Sequence, residues 1–157
     1  MSAPQDISQN KALLWFMAAA CGLCAGANYY SQPLIHSIQQ YFAVTESQAA
    51  LTVTFAQVSY ALGLLFIVPI GDVANKTKFI PLLMTLCAMG LFLSAFSVNL
   101  PMLWVGTVLV GLFSVAAQVL IPLATMTVQP EKTGEVVGFL MSGLLVGILL
   151  STSLAGL

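Results

Sequence analysis

Uncharged polar side chains are rare in the long apolar stretches of this chain, and five of them could act together chemically. They are the amides and the phenol of Asn28, Gln32, Gln57, Tyr60 and Gln118. Asn28 and Gln32 are four residues apart and would share one helix face, as would Gln57 and Tyr60. Such groups could line a central water-filled cavity and hold a neutral or amphipathic solute. They could equally form hydrogen bonds between helices.

The sequence offers no other recognisable chemistry. It has no nucleophile–base pair, metal-ligand cluster or phosphate loop, which argues against an enzyme, a metal site, a cofactor or a nucleic-acid partner. Cys21 and Cys24 have CxxC spacing but fall in an apolar run, where they and Cys87 are interpreted as small packing residues. His36, the only histidine, is interpreted as an interfacial residue rather than a proton relay.

Five apolar segments must position the polar side chains. Each is about 20 residues or slightly longer, enough to cross a hydrocarbon core of roughly 30 Å as a helix. Only 6% of residues are charged, 59% are hydrophobic, and the mean hydropathy is +1.00. The sequence therefore predicts an all-α, polytopic transmembrane bundle with a tail at 1–11 and a bundle at 12–157, whose spans are 12–32, 48–70, 79–97, 100–124 and 136–157.

The lysines orient this bundle. Lys11 precedes the first span, Lys76 and Lys78 follow the second, and Lys132 follows the fourth, while the alternate loops lack Lys and Arg. Basic residues beside spans stay on the cytoplasmic side, so we expect a cytoplasmic amino terminus in a multi-pass protein of the inner (plasma) membrane. A cleaved signal peptide is the alternative for the first segment, but its apolar run continues to Gln32.

Local signals predict where the helices begin and end. Pro33 should stop the first helix, because it lacks an N–H and disfavours helix in the residue before it. Thr45 and Gln48 have the spacing of a capping box, which predicts the start of the second span. Asn99 can cap the fourth span, with Pro101 in its first turn.

Small residues recur at intervals of four in two of the spans. The first span carries Gly22 and Gly26 after Ala18, and the fifth carries Gly143 and Gly147 before Ser151 and Ala155. Helices in a bilayer associate through close backbone approach at such residues. The two stripes therefore predict a tightly packed bundle.

Several segments resemble a bacterial, efflux-like branch of the major facilitator superfamily. The segments 28–34 and 63–72 are similar to its first helix and to its second helix with the loop that follows. The segments 118–123 and 134–156 are similar to its fourth and fifth helices. The resemblance implies secondary active transport of a small solute by two six-helix halves. This chain would supply helices one to five, an amino-terminal fragment whose partners are the lipid bilayer, the solute and the missing carboxyl-terminal half.

The resemblance also gives Asp72 a role. In the superfamily signature G-x-x-x-D-[RK]-x-G-[RK]-[RK], Asp72 takes the acidic position and Lys76 a basic one, with Lys78 in the same loop. Asp72 would lie at the negative end of its own helix, so it should seek donors elsewhere. The resemblance implies a latch to a helix of the second half, and the alternative is a solvated loop residue.

The chain also departs from the family pattern. The positions that differ from the family motifs are Val68, Val73, Asn75, Thr107, Ile148, Ser151 and Thr152. These differences remove the support that the motifs would give to antiport or proton coupling. Two other functions stay open. A small dimeric multidrug-type pump would need fewer helices but typically an intramembrane Glu, which is absent. A non-transporting scaffold or subunit would use the glycine stripes to bind another membrane protein.

Overall fold

The computed structural model describes residues 10–156, so most of the expected amino-terminal tail lies outside the described residues. Within that range the chain forms helices and turns, with no β-strand. Five helical stretches are long and apolar enough to cross a membrane. The expected all-α, polytopic bundle is confirmed.

Seven α-helices follow one another along the described chain. They are α1 (Lys11–Tyr29), α2 (Ile35–Phe42), α3 (Glu46–Val73), α4 (Lys76–Ala95), α5 (Leu100–Phe113), α6 (Ala116–Met126) and α7 (Thr133–Ala155). Helices α1, α3, α4 and α7 each form one span, and α5 and α6 together form the fourth. A 3₁₀ turn at Pro130–Lys132 leads into α7.

Three local features differ from the sequence-based expectation. Helix α1 ends at Tyr29 and not at Gln32, because the chain forms a turn after Tyr29, several residues before Pro33. The loop after it contains the short helix α2, whose apolar side buries Ile38. The fourth span is interrupted by a turn at Ser114 and Val115.

Polar caps define where the spans begin. Thr45 Oγ1 accepts a hydrogen bond from the backbone N–H of Gln48 at 3.3 Å, and the Thr45 N–H donates to Gln48 Oε1 at 3.1 Å. This is the expected capping box of α3. Asn99 Oδ1 accepts from the backbone N–H of Met102 at 2.9 Å, so it caps α5 as expected. Each cap satisfies a donor that has no partner in the first helical turn.

The spans pack in three main pairs. Helix α1 lies along α7, and α5 lies between α3 and α4. The largest apolar core forms where α1, α6 and α7 meet, around Cys21, Val119 and Leu140. Large apolar side chains such as Phe66 and Leu149 point outward, as expected for a helix surface that faces lipid.

Candidate functional site

A cavity of about 120 Å³ lies inside the bundle, between α1, α3, α7 and the region where α5 gives way to α6. It brings together three of the five polar residues singled out in the sequence, Asn28, Tyr60 and Gln118. The other residues around it are Ala25, Tyr29, Ser114, Ala117, Leu144 and Ile148. No lining residue carries a formal charge, so the site can act only through hydrogen bonds and packing.

Tyr60 and Gln118 join two helices across the cavity. Gln118 Nε2 donates a hydrogen bond to the Tyr60 hydroxyl oxygen at 3.2 Å, which links α6 to α3. Tyr60 lies at the middle of α3, and both residues are half-buried. The Tyr60 hydroxyl hydrogen and Gln118 Oε1 keep the capacity to donate and to accept.

Asn28 is the most unusual polar group of the site. It lies on α1 with only 2% of its surface exposed. Neither its Oδ1 nor its Nδ2 has a hydrogen-bond partner. Buried side-chain amides in proteins are nearly always hydrogen-bonded, and leaving such a group unpaired costs about 1–3 kcal/mol. Asn28 thus places free hydrogen-bonding capacity, both a donor and an acceptor, beside the cavity.

The turn in the fourth span adjoins the same cavity. Ser114 Oγ donates to the carbonyl oxygen of Gly111 at 3.1 Å. The backbone N–H of Gln118 donates to the carbonyl oxygen of Val115 at 2.9 Å, three positions back, instead of to a residue four positions back. The turn interrupts the regular α-helical hydrogen bonding just before Gln118. Interrupted transmembrane helices are a common way of building solute sites near the middle of a membrane.

Gln32 and Gln57 are not among the residues that line this cavity. Because α1 ends at Tyr29, Gln32 lies in the following turn and is exposed, and the expectation that it shares a helix face with Asn28 is wrong. Gln57 is half-buried on α3, one turn before Tyr60. Of the five residues, the fold thus brings together three, one from each of three spans.

The short connection between α3 and α4 contains the residues of the loop signature. Asp72 is exposed in the last turn of α3. Lys76 Nζ donates to the backbone carbonyl oxygen of Asp72 at 3.5 Å, rather than to its carboxylate. Lys78 is exposed in the first turn of α4, which Asn75 caps through the backbone N–H of Thr77 at 3.1 Å. The Asp72 carboxylate is thus accessible at the end of the bundle where α3 meets α4.

The two glycine stripes face each other between α1 and α7. A Cβ atom added at Gly22 would come within 2.7 Å of the Gly143 carbonyl oxygen, and one added at Gly147 would overlap the backbone of Gly22. One at Gly26 would lie 3.0 Å from the Gly147 carbonyl oxygen. Ser151 Oγ donates to the carbonyl oxygen of Gly26 at 2.8 Å. At Gly22, Gly143 and Gly147 the two backbones therefore approach too closely for a side chain at these positions.

Two further close contacts were not singled out from the sequence. Gly63 of α3 lies against the Leu112 carbonyl oxygen, which a Cβ would approach within 2.6 Å. Gly90 of α4 lies against Gly106 of α5, with the corresponding contact at 3.0 Å. The spacing of Ser59 and Gly63, four residues apart, was a signal that could have identified the first contact.

The described residues contain no group of three or more His, Cys, Asp or Glu side chains able to hold a metal ion. Cys21, Cys24 and Cys87 are buried and form no disulfide. A larger groove of about 660 Å³ runs along the outer side of α1 and α7, but its lining is almost entirely apolar. A second groove, of about 650 Å³, has the hydroxyl residues Ser31, Thr52 and Ser94 among its lining. The Asn28 cavity differs from both grooves because it brings side-chain amides together with a phenol.

The sequence model of the Major Facilitator Superfamily matches residues 14–157. "Uncharacterized transporter YgaY" of Escherichia coli O157:H7 is 48% identical over 146 residues, which cover 93% of this chain and 37% of that relative. "Probable transporter SCO4007" of Streptomyces coelicolor is 28% identical over 142 residues, covering 90% and 33% respectively. No solved structure gives a significant match. The chain spans about a third of the length of these relatives, and it belongs to the Major Facilitator Superfamily.

Proposed function

We propose that residues 1–157 form the first part of a secondary active transporter that moves a small solute across the inner membrane by alternating access. Efflux is the direction that the resemblance to the bacterial branch implies. The observation that carries the proposal is the uncharged polar cavity where three spans contribute Asn28, Tyr60 and Gln118. A second half, outside this chain, would form the opposite wall of the solute path.

The pairing of the spans supports this function. Transporters of this type are built from inverted three-helix repeats, in which spans one and two correspond to spans four and five. The pair formed by spans one and five then corresponds to the pair formed by spans four and two. Both pairs are in close contact here, each through glycine, at Gly22 and Gly147 and at Gly63. The cavity lies among these four spans, where a solute site between repeats belongs.

The same packing disfavours the scaffold alternative. A scaffold would use its glycine stripes to bind another membrane protein. In this bundle the stripes of α1 and α7 are occupied by each other, with backbone contacts that exclude a third helix from the same faces. The stripes therefore serve internal assembly, which is what a transporter half requires.

Asp72 fits the proposed transport cycle as a latch. Its carboxylate is exposed at the end of α3, where the partial negative charge of the helix end disfavours it. The positively polarised amino terminus of a helix from the second half would stabilise it in one conformation and release it in the other. Its charge would then hold the cytoplasmic side closed during part of the cycle.

The test is solute counterflow in proteoliposomes that contain the full-length protein. Counterflow measures exchange of a labelled solute against an excess of the same solute inside, so it needs neither the coupling ion nor the direction to be known. A panel of small neutral, anionic and cationic solutes should include at least one that exchanges saturably. Exchange no faster than in protein-free liposomes for every solute would overturn the proposal.

In the same assay, Asp72→Asn should slow counterflow at least fivefold while the protein still inserts into the membrane. The matched control is Glu46→Gln, which neutralises an exposed acid at the opposite end of the same helix. We expect that control to exchange at the wild-type rate. Wild-type exchange by Asp72→Asn would remove the latch but leave transport itself intact.

A further inference from the structure

We propose that the Asn28 cavity binds the amide-type edge of an uncharged solute, in which an N–H donor stands beside a carbonyl acceptor. The proposal deepens the transport function and rests on it. It identifies the class of solute group that the site recognises. It starts from the observation that both polar atoms of the buried Asn28 side chain lack partners.

The hydrogen-bonding capacity of the site favours this class. A side-chain amide presents a donor and an acceptor side by side, so it pairs in one plane with a group that offers the complementary acceptor and donor. A primary amide, a lactam, a urea or the edge of a nucleobase has that arrangement. Because both atoms of Asn28 are unpartnered, the pairing is available in either orientation of its amide.

Tyr60 and Gln118 extend the same preference. The bond from Gln118 Nε2 to the Tyr60 oxygen leaves one donor, the Tyr60 hydroxyl, and one acceptor, Gln118 Oε1. The cavity thus offers a mixed set of donors and acceptors. An anion would leave the acceptors unused, and a cation would leave the donors unused.

Charge and size narrow the class further. None of the lining residues is Asp, Glu, Lys, Arg or His. A charged solute group would therefore be desolvated without a counter-charge from this half of the protein. At about 120 Å³ the cavity holds the polar end of a solute together with a few carbon atoms. Leu144, Ile148 and the ring of Tyr29 give that end apolar walls.

The experiment measures thermal unfolding of the full-length protein in nanodiscs with three probes of similar size. They are propionamide, propionate and propylammonium, at ionic strength matched with sodium chloride. A ligand that binds the folded state raises the unfolding temperature with its concentration. We expect propionamide alone to raise it, and Asn28→Leu to weaken the apparent affinity for propionamide at least tenfold.

The matched control is Ser94→Ala. Ser94 is also buried with an unpartnered hydroxyl oxygen, but it lies on α4 away from the cavity. That variant should keep the wild-type response to propionamide. If Asn28→Leu does not fold, Tyr60→Phe decides, since it removes the free donor and should weaken binding at least threefold.

Three results would overturn the proposal. The first is no stabilisation by propionamide, and the second is equal stabilisation by propionate. The third is an unchanged response to propionamide in Asn28→Leu or, if that variant does not fold, in Tyr60→Phe. These failures are separate from failure of transport. Saturable counterflow with no amide preference would keep the transporter and remove this subsite. Amide binding that depends on Asn28, without any counterflow, would keep the subsite and remove transport.

Discussion

Helix α1 has two contrasting regions less than two turns apart. On one face, Gly22 and Gly26 bring its backbone so close to α7 that a side chain at either position would collide with α7. Towards its carboxyl-terminal end, Asn28 borders a cavity with a buried amide that has no partner. The first region is held by close backbone packing and a hydrogen bond from Ser151, whereas the amide in the second region has no hydrogen-bond partner.

The contrast shows how assembly and binding can be separated on one helix. Within a bilayer, backbone packing at small residues holds helices together without polar side chains. Because the glycine contacts supply the association between α1 and α7, the amide of Asn28 is not needed to join helices. A polar group freed from a structural role can remain available to a solute.

The largest expected effect comes from filling the glycine interface. Gly147→Leu should destabilise the folded bundle by about 3 kcal/mol, because its Cβ would overlap the backbone of Gly22, which cannot move aside as a side chain could. Thermal unfolding in detergent, together with the yield of folded protein, measures this loss.

The control for that variant is Gly138→Leu on the same helix. Gly138 is exposed, and an added Cβ there meets nothing within 4 Å. Its unfolding temperature should stay near that of the wild type. Equal destabilisation at positions 138 and 147 would mean that any leucine harms α7, and the contrast between packed and open faces would fail.

The opposite effect is expected at the cavity. Asn28→Leu should raise the stability of the protein without solute by about 1–2 kcal/mol, because it replaces an unpaired buried amide with an apolar side chain of the same branched shape. Thermal unfolding without added solute measures the change. If the variant is more stable than the wild type and no longer responds to propionamide, the unpaired amide both destabilises the empty protein and binds the solute.

Thr52→Val is the matched control for that gain. Thr52 is fully buried, and its Oγ1 accepts a hydrogen bond from Trp104 Nε1 at 3.2 Å. Removing it leaves the indole donor without this partner, so stability should fall. If both substitutions change stability in the same direction, Asn28 is not energetically distinct from a satisfied polar residue.

Local interactions explain why much of the fold was predictable from the sequence. The five spans follow from apolar length, and the caps at Thr45 and Asn99 depend on residues three positions away. Helix α2 was missed because its apolar side is short and gains its stability from packing around Ile38. The turn at Ser114 and Val115 contains neither Pro nor Gly, so no local sequence signal predicted it.

The candidate site was predictable only in part. Residue type identified Asn28, Tyr60 and Gln118, because uncharged polar groups stand out in apolar spans. Whether these three side chains lie close together depends on how their three spans pack. Residue spacing within one span carries no information about that packing. The same limit explains Gln32, which spacing placed beside Asn28 on a helix that in fact ends before it.

The smallest expected effect tests whether hydrogen bonding contributes to the glycine interface. Ser151 Oγ donates to the Gly26 carbonyl oxygen at 2.8 Å, the one side-chain hydrogen bond between α1 and α7 among the described residues. Ser151→Ala keeps a small residue in the stripe and removes only this bond. Such bonds contribute about 0.6 kcal/mol on average within membranes, so chemical unfolding in detergent should register a loss of about that size. A loss comparable to that of Gly147→Leu would mean that hydrogen bonding, and not backbone packing, holds α1 to α7. The separation of an interface held by packing from a cavity left for a solute would then no longer stand.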